Sequence, residues 1–289
     1  MRARYPDTDG FVERDGVRLG FEVFGQGEPT ILLLPTWTIV NSRFWKMQVH
    51  YLARRHRVIT YDGPGNGRSD RVTDPARYVA DAYAADAAAV LDECQVDDAV
   101  VVGLSLGALY ALRLASLHPE RVGAMVLIGA ALPLGPPAPG RERVEELFDQ
   151  PYPENPTGWE KCNAAYWRDH YADFAAFFFG EVFSEPHSTK PKEDAVGWAL
   201  ETTPEILLAE AAARGSALSG EQLFDGVRCP TLVVHGTEDR IHPHTTGVDA
   251  ARLSGGALMT MVGSGHIPNM RDPVRFNLAL RDFIARLPA

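Results

Sequence analysis

Apolar positions along this chain follow two alternating rhythms. Short runs at Ile31 to Leu34, Val58 to Tyr61, Ala99 to Val102, Met125 to Ile128 and Thr231 to Val234 are continuous, as strands buried on both faces should be. Between them, Phe44 to Arg54, Val79 to Glu93 and Leu106 to Leu117 have the spacing and Ala/Leu content of helices. Strand and helix in repeated alternation predict a parallel sheet covered by helices, each a right-handed crossover. Ahead of these units, Val17 to Phe24 alternates like an exposed antiparallel edge strand.

The rhythm breaks between about Pro133 and Leu223. Gly135-Pro136-Pro137-Ala138-Pro139-Gly140 can continue neither helix nor strand. The segment beyond it is helical in character and rich in aromatics, among them Trp159, Tyr166, Trp167, Tyr171, Phe174, Phe178 and Trp198. Strand signals resume at Val227-Arg228-Cys229-Pro230-Thr231. At about 150 residues per domain, a chain of 289 residues suggests two units. The pattern turns the second into an insertion: residues 1–132 and 224–289 form one core domain, and residues 133–223 a helical insert within it.

Composition narrows the function. Hydrophobic residues make up 45% and charged residues 23%, ordinary for a soluble chain with a substantial core. With 28 Lys+Arg against 38 Asp+Glu, the formal charge of −10 argues against nucleic-acid and anionic-membrane partners. No apolar stretch reaches the roughly 18 residues of a transmembrane helix. The opening residues lack the apolar run of a signal peptide, so a cytoplasmic location is expected. Cys94, Cys162 and Cys229 are odd in number and without Cys-x-x-Cys pairing. They read as buried free thiols rather than a disulfide framework or zinc site. Oligomeric state is left open.

The chemistry centres on Gly103-Leu104-Ser105-Leu106-Gly107, which follows an apolar strand and opens a helix. Strand, Gly-x-Ser-x-Gly and helix in that order form a nucleophile elbow: the serine sits on a sharp turn, and glycines two positions away let strand and helix approach closely. A serine hydroxyl needs a base oriented by an acid. Downstream, the strand Thr231 to Val234 leads to Glu238 and Asp239, and Met259 to Val262 leads to His266 between turn residues. The order Ser105, Asp239, His266 differs from the chymotrypsin and subtilisin orders. Glu238 is the nearest rival acid and Asp62 a weaker one, whose plainer role is to tie down its loop. His235, His242 and His244 are too sparse a pattern to specify a metal.

With Tyr61-Asp62-Gly63-Pro64-Gly65-Asn66-Gly67-Arg68-Ser69-Asp70 added to these segments, the chain resembles the α/β-hydrolase fold family over nearly its whole length. The resemblance implies an eight-stranded, mostly parallel sheet, a helical cap inserted after the sixth strand, and a Ser105, Asp239, His266 triad. It implies a small-molecule substrate and no cofactor or metal. Members commonly carry His-Gly after the third strand, where this chain has Pro35-Thr36. A β-branched Thr36 fits poorly if that site needs the positive φ open to glycine. By the same resemblance, Trp37 and Leu106 supply the oxyanion-hole N–H groups. Trp37, Trp167 and Phe178 are the expected pocket wall. The expected activity is hydrolysis of a carboxylic ester or related acyl compound. Carbon–carbon bond hydrolysis, lactone or thioester hydrolysis, perhydrolysis and a non-catalytic small-molecule receptor stay open.

Overall fold

The computed structural model describes residues 4–213 and 219–288. Residues 1–3, residue 289, and residues 214–218 of the expected insert lie outside the described residues. The strands are β1 (Thr8–Arg14), β2 (Val17–Phe24), β3 (Ile31–Leu33), β4 (Val58–Tyr61), β5 (Ala99–Leu104), β6 (Val122–Ile128), β7 (Thr231–Gly236) and β8 (Ala257–Met261). The helices are α1 (Lys46–Leu52), α2 (Ala80–Glu93), α3 (Leu106–Leu117), α4 (Val144–Leu147), α5 (Ala164–Val182), α6 (Thr189–Ala199), α7 (Pro204–Ala213), α8 (His244–Ser254), α9 (Pro268–Arg271) and α10 (Pro273–Ile284). None is long and apolar enough to cross a membrane.

One sheet holds all eight strands in the order β1-β2-β4-β3-β5-β6-β7-β8. β1 pairs β2, and β2 pairs β4, antiparallel; from β4 to β8 the pairing is parallel. The continuous apolar runs divide between two cores because strand side chains alternate faces. Val100, Val102 and Leu104 join the core that holds Phe44, Trp45 and Phe276. Ala99 and Val101 join the core of Tyr83, Leu91 and Ala111 on the opposite face.

The expected edge strand is displaced by one position. Val17–Phe24 is internal, with only Arg18 exposed; the edge is Thr8–Arg14, paired from Thr8↔Val23 to Arg14↔Val17. Thr8–Arg14 escapes the sequence pattern because Phe11 and Val12 are its only large apolar residues. Phe11 is instead covered by guanidinium groups, Arg18 at 5.3 Å and Arg68 at 5.0 Å from the ring centre.

Among the described residues, the segment between β6 and β7 carries α4 to α7 and brings no strand into the sheet. α5 is capped by Asn163, whose side chain accepts from the Ala165 and Tyr166 N–H groups, and it kinks at His170 (φ −140°, ψ 40°). Its apolar face buries Trp167, Phe174, Phe178 and Phe179. The insert is tethered to the sheet side by Glu210 of α7, a buried carboxylate that accepts from the Thr38 backbone N–H at 3.2 Å and from the Thr38 hydroxyl.

Candidate active site

Ser105 stands between β5 and α3 with φ 55° and ψ −118°. That backbone is unfavourable for a residue with a Cβ, and its surroundings hold it in place. The Ser105 N–H donates to the Ile128 carbonyl at 2.9 Å, and its own carbonyl accepts from Ala108 at 3.0 Å and Ala131 at 3.1 Å. The flanking glycines have steric reasons. A Cβ on Gly103 would stand 2.1 Å from the Gly107 carbonyl oxygen, and one on Gly107 would stand 2.5 Å from that of Pro35. The turn therefore closes on α3, whose first N–H groups have no acceptor within the helix.

Asp239 and His266 come from the loops after β7 and β8. Asp239 Oδ2 lies 2.9 Å from His266 Nδ1, while Oδ1 accepts from the Ile241 and His242 N–H groups at 2.8 and 3.0 Å. His235, on β7 and wholly buried, brings Nε2 to 3.1 Å from Asp239 Oδ2 and 3.0 Å from the His242 carbonyl. Burial would raise the Asp239 pKa, but His266 and His235 beside it prevail and hold it well below the usual carboxylate range. Burial, with the nearby His266 and Arg141 charges, pushes His242 well below the ordinary imidazole value.

The rival acids are occupied elsewhere. Glu238 is aligned with Thr237, whose hydroxyl reaches its carboxylate at 3.4 Å on the exposed side. Asp62 ties its loop together, accepting from the Ser42 N–H at 2.7 Å and the Arg68 N–H at 2.8 Å. His244 Nε2 pairs with the Thr260 hydroxyl at 3.0 Å. Among the described residues no cluster of three metal-ligating side chains forms.

Ser105 and His266 line one cavity, whose free space of about 440 Å³ includes its opening to solvent. Its wall is overwhelmingly apolar: Trp37, Ile39, Val40 and Phe44 from the loop after β3, Phe178, Phe179, Val182 and Phe183 from the end of α5, Ala195 and Trp198 from α6, and Ile267 and Met270 beside His266. Thr36 is its remaining polar member. Among the described residues, no lining residue carries a carboxylate, ammonium or guanidinium group.

Two of the three expected wall residues are there. Trp37 and Phe178 face the cavity and meet edge to face, ring centres 4.9 Å apart. Trp167 does not line it: the indole is fully buried one layer back, 5.9 Å from Trp37 and 4.8 Å from Phe174. It packs behind Trp37. Phe44, Phe179, Phe183, Trp198 and Met270 join the wall without any sequence signal that marks them as lining. Thr36 takes its place without strain, since it is absent from the residues with positive φ.

A family model described as alpha/beta hydrolase fold matches residues 29–273. The chain is similar to 2-hydroxymuconate semialdehyde hydrolase of Pseudomonas sp. (strain CF600), at 29% identity over 282 residues, covering 95% of this chain and 93% of that one. It is similar also to a non-heme haloperoxidase of Rhodococcus erythropolis, at 30% identity over 246 residues, covering 82% and 84% respectively. Among solved structures, an esterase from Rhodococcus sp. ECU1013 aligns with a TM-score of 0.78 at 26% identity, over 96% of this chain and 98% of that one.

Proposed function

Because the chain belongs to the α/β-hydrolase fold family, we propose that it is a serine hydrolase of uncharged carboxylic esters or related acyl compounds, of small to medium apolar build, working through an acyl-enzyme on Ser105. The observation that carries this reading is the shared cavity: a serine held at an elbow and an imidazole anchored 2.9 Å from a buried carboxylate open onto the same apolar space. His266, its Nδ1–H directed at Asp239, presents Nε2 as the base. Ser105 Oγ bonds to the carbonyl carbon as its proton passes to His266. The carbonyl electron pair moves onto oxygen, where the Trp37 and Leu106 N–H groups receive the charge. Collapse expels the alcohol with the proton from His266, and water repeats the sequence on the acyl-enzyme. Asp239 keeps the imidazole in its working tautomer and stabilises its transient charge.

The lining favours esters over the chemistry named for one relative. A muconate-derived substrate carries a carboxylate, and among the described residues the apolar wall offers no cation to replace its water. Incubation with a fluorophosphonate and intact-mass measurement is the direct test. One adduct, lost in Ser105→Ala, supports an activated nucleophile; no adduct on the wild type supports the receptor reading instead. A panel of p-nitrophenyl esters then sorts the substrate, with neutral acyl groups expected to exceed matched acids bearing a terminal carboxylate. Loss of the nucleophile should lower kcat by on the order of 10⁶. Retained ester turnover in Ser105→Ala would refute the assignment.

A further inference from the structure

Phe178, Phe179 and Val182 of α5, with Phe183 just beyond it, face the cavity that Ser105 and His266 share. The next two residues of the insert turn instead to the loops that carry the acid and the base. Ser184 Oγ donates to the Glu238 carbonyl at 3.2 Å, one residue before Asp239. Glu185 Oε1 accepts from the Gly265 N–H at 2.7 Å, one residue before His266. Between these contacts the two loops meet each other, where the Glu238 N–H donates to the Ser264 carbonyl at 2.9 Å. A closed ring results. The Ser264–Gly265 peptide is held through its carbonyl by the acid loop and through its N–H by the insert. Gly265 permits the approach, since a Cβ there would stand 2.9 Å from Ser184 Oγ and 3.1 Å from the Val182 carbonyl oxygen. That carbonyl in turn accepts from the His266 N–H at 3.3 Å. Glu185 is half-buried, and its Oε2 is shielded, with no hydrogen-bond partner among the described residues. Leaving a carboxylate oxygen unpaired is unfavourable; the gain is one short, charge-assisted bond to the peptide beside the base.

We propose that Glu185 is a positioning residue for His266, a reading that rests on the acyl-transfer function above. The imidazole must satisfy two constraints at once: Nδ1 stays 2.9 Å from Asp239 Oδ2 while Nε2 serves as the base. Asp239 and His266 stand on separate loops after β7 and β8, and each directly follows a residue of the ring. The ring therefore sets the spacing of acid and base, and Glu185 is its link from the insert to the base loop. Glu185 does not line the cavity, so it acts through His266 and not on the substrate. Proton transfer tolerates little error in distance: a misplacement of about 1 Å, caused by a change remote from the chemistry, can lower the rate about 10²-fold. The turn that closes the apolar pocket thus also fixes the base that works in it.

The test compares wild type with Glu185→Met, which keeps the length of the side chain and loses the carboxylate, and Glu185→Gln, which keeps an acceptor oxygen. Glu185→Ala repeats the deletion with less bulk should the methionine protein not fold. On p-nitrophenyl butyrate, the methionine variant should lose about 10- to 100-fold in kcat with KM little changed, and the glutamine variant should recover most of it. The second readout is the far-downfield proton resonance of His266 Nδ1–H in its bond to Asp239, assigned by its absence from His266→Ala. It should shift or broaden in the methionine variant and return in the glutamine variant, at a temperature where circular dichroism shows both folded. A merely structural role would lower the melting temperature while kcat and the resonance of the folded protein stay at wild-type values, and that result overturns the proposal. So does a loss of kcat with an unmoved resonance, or a glutamine variant as impaired as the methionine one, in a preparation whose wild type turns over ester. A wild type with neither turnover nor fluorophosphonate labelling of Ser105 overturns the function as well.

Discussion

His235 Nε2 lies 3.1 Å from Asp239 Oδ2, the same oxygen that His266 Nδ1 approaches at 2.9 Å. Because that nitrogen also faces the His242 carbonyl at 3.0 Å, it sits between two acceptors and must carry its proton. Asp239 thus receives two imidazole N–H groups on Oδ2 and two backbone N–H groups on Oδ1. Asp239→Asn would leave one side of the carboxamide as an NH₂ facing donors. His266 would then be free to take the other tautomer. The expected loss in kcat is about 10⁴ with the fold retained, read by ester turnover beside circular dichroism. Turnover within tenfold of wild type would remove Asp239 from the site.

The same carboxylate links stability to acid. His266 and His235 hold its folded pKa well below the usual value despite burial. A group with a lowered folded pKa contributes stability that is complete above its unfolded pKa, about 3.9 for Asp, and is lost as pH falls from there toward the folded value. Melting temperature followed from pH 6 downward should therefore drop more steeply below about pH 4 in wild type than in Asp239→Asn. Parallel curves would show that the two histidines do not stabilise the ionised form.

These relationships are legible in the sequence to different depths, and locality explains the difference. Ser105 stands out because strand, glycine turn and helix are contiguous, and Leu106–Leu117 forms as the spacing predicts. Asp239 and His266 are readable as loop residues after two strands, since β7 and β8 deliver them to the same end of the sheet. The cavity wall is harder. Phe44, Phe179, Trp198 and Met270 come from four separate segments, and no spacing within any one of them reveals that they meet. Trp167 belongs one layer behind its expected place because helical spacing gives a shared face but not which member reaches the ligand, and the break at His170 separates it from Phe178. His235 has the sequence context of an ordinary strand residue, and only its distance to Asp239 distinguishes it.

Glu210 couples the insert to the loop after β3 that carries Trp37. Its carboxylate accepts from both the backbone N–H and the hydroxyl of Thr38, and from the Tyr110 hydroxyl at 3.4 Å. Thr38 is one residue beyond Trp37, so the contact steadies a proposed donor. Glu210→Ala takes this acceptor from the buried Thr38 N–H and hydroxyl, at a cost of about 1–3 kcal/mol for each left unsatisfied. Melting temperature and kcat should fall together, whereas Glu210→Gln, which keeps an acceptor for Thr38, should retain most of both. Unchanged turnover in a destabilised alanine variant would separate the tether from the chemistry.

Acyl-chain selection should be adjustable from α6. Ala195 is buried and lines the cavity with Trp198, across from the end of α5. Ala195→Leu places added carbon in the space a longer acyl chain would need, with an overpacking cost of about 1–3 kcal/mol in stability. One methylene gained or lost in an apolar pocket is worth about 1–3 kcal/mol in discrimination. The variant should therefore keep kcat/KM for the acetyl ester while losing tenfold or more, as an order-of-magnitude estimate, for hexanoyl and octanoyl esters. The readout is a chain-length series of p-nitrophenyl esters on both proteins. A uniform loss along the series would point to damaged packing, and an unchanged profile would mean that the acyl chain occupies some other space. Only a selective loss of the long chains places the acyl group between Ala195 and Phe178.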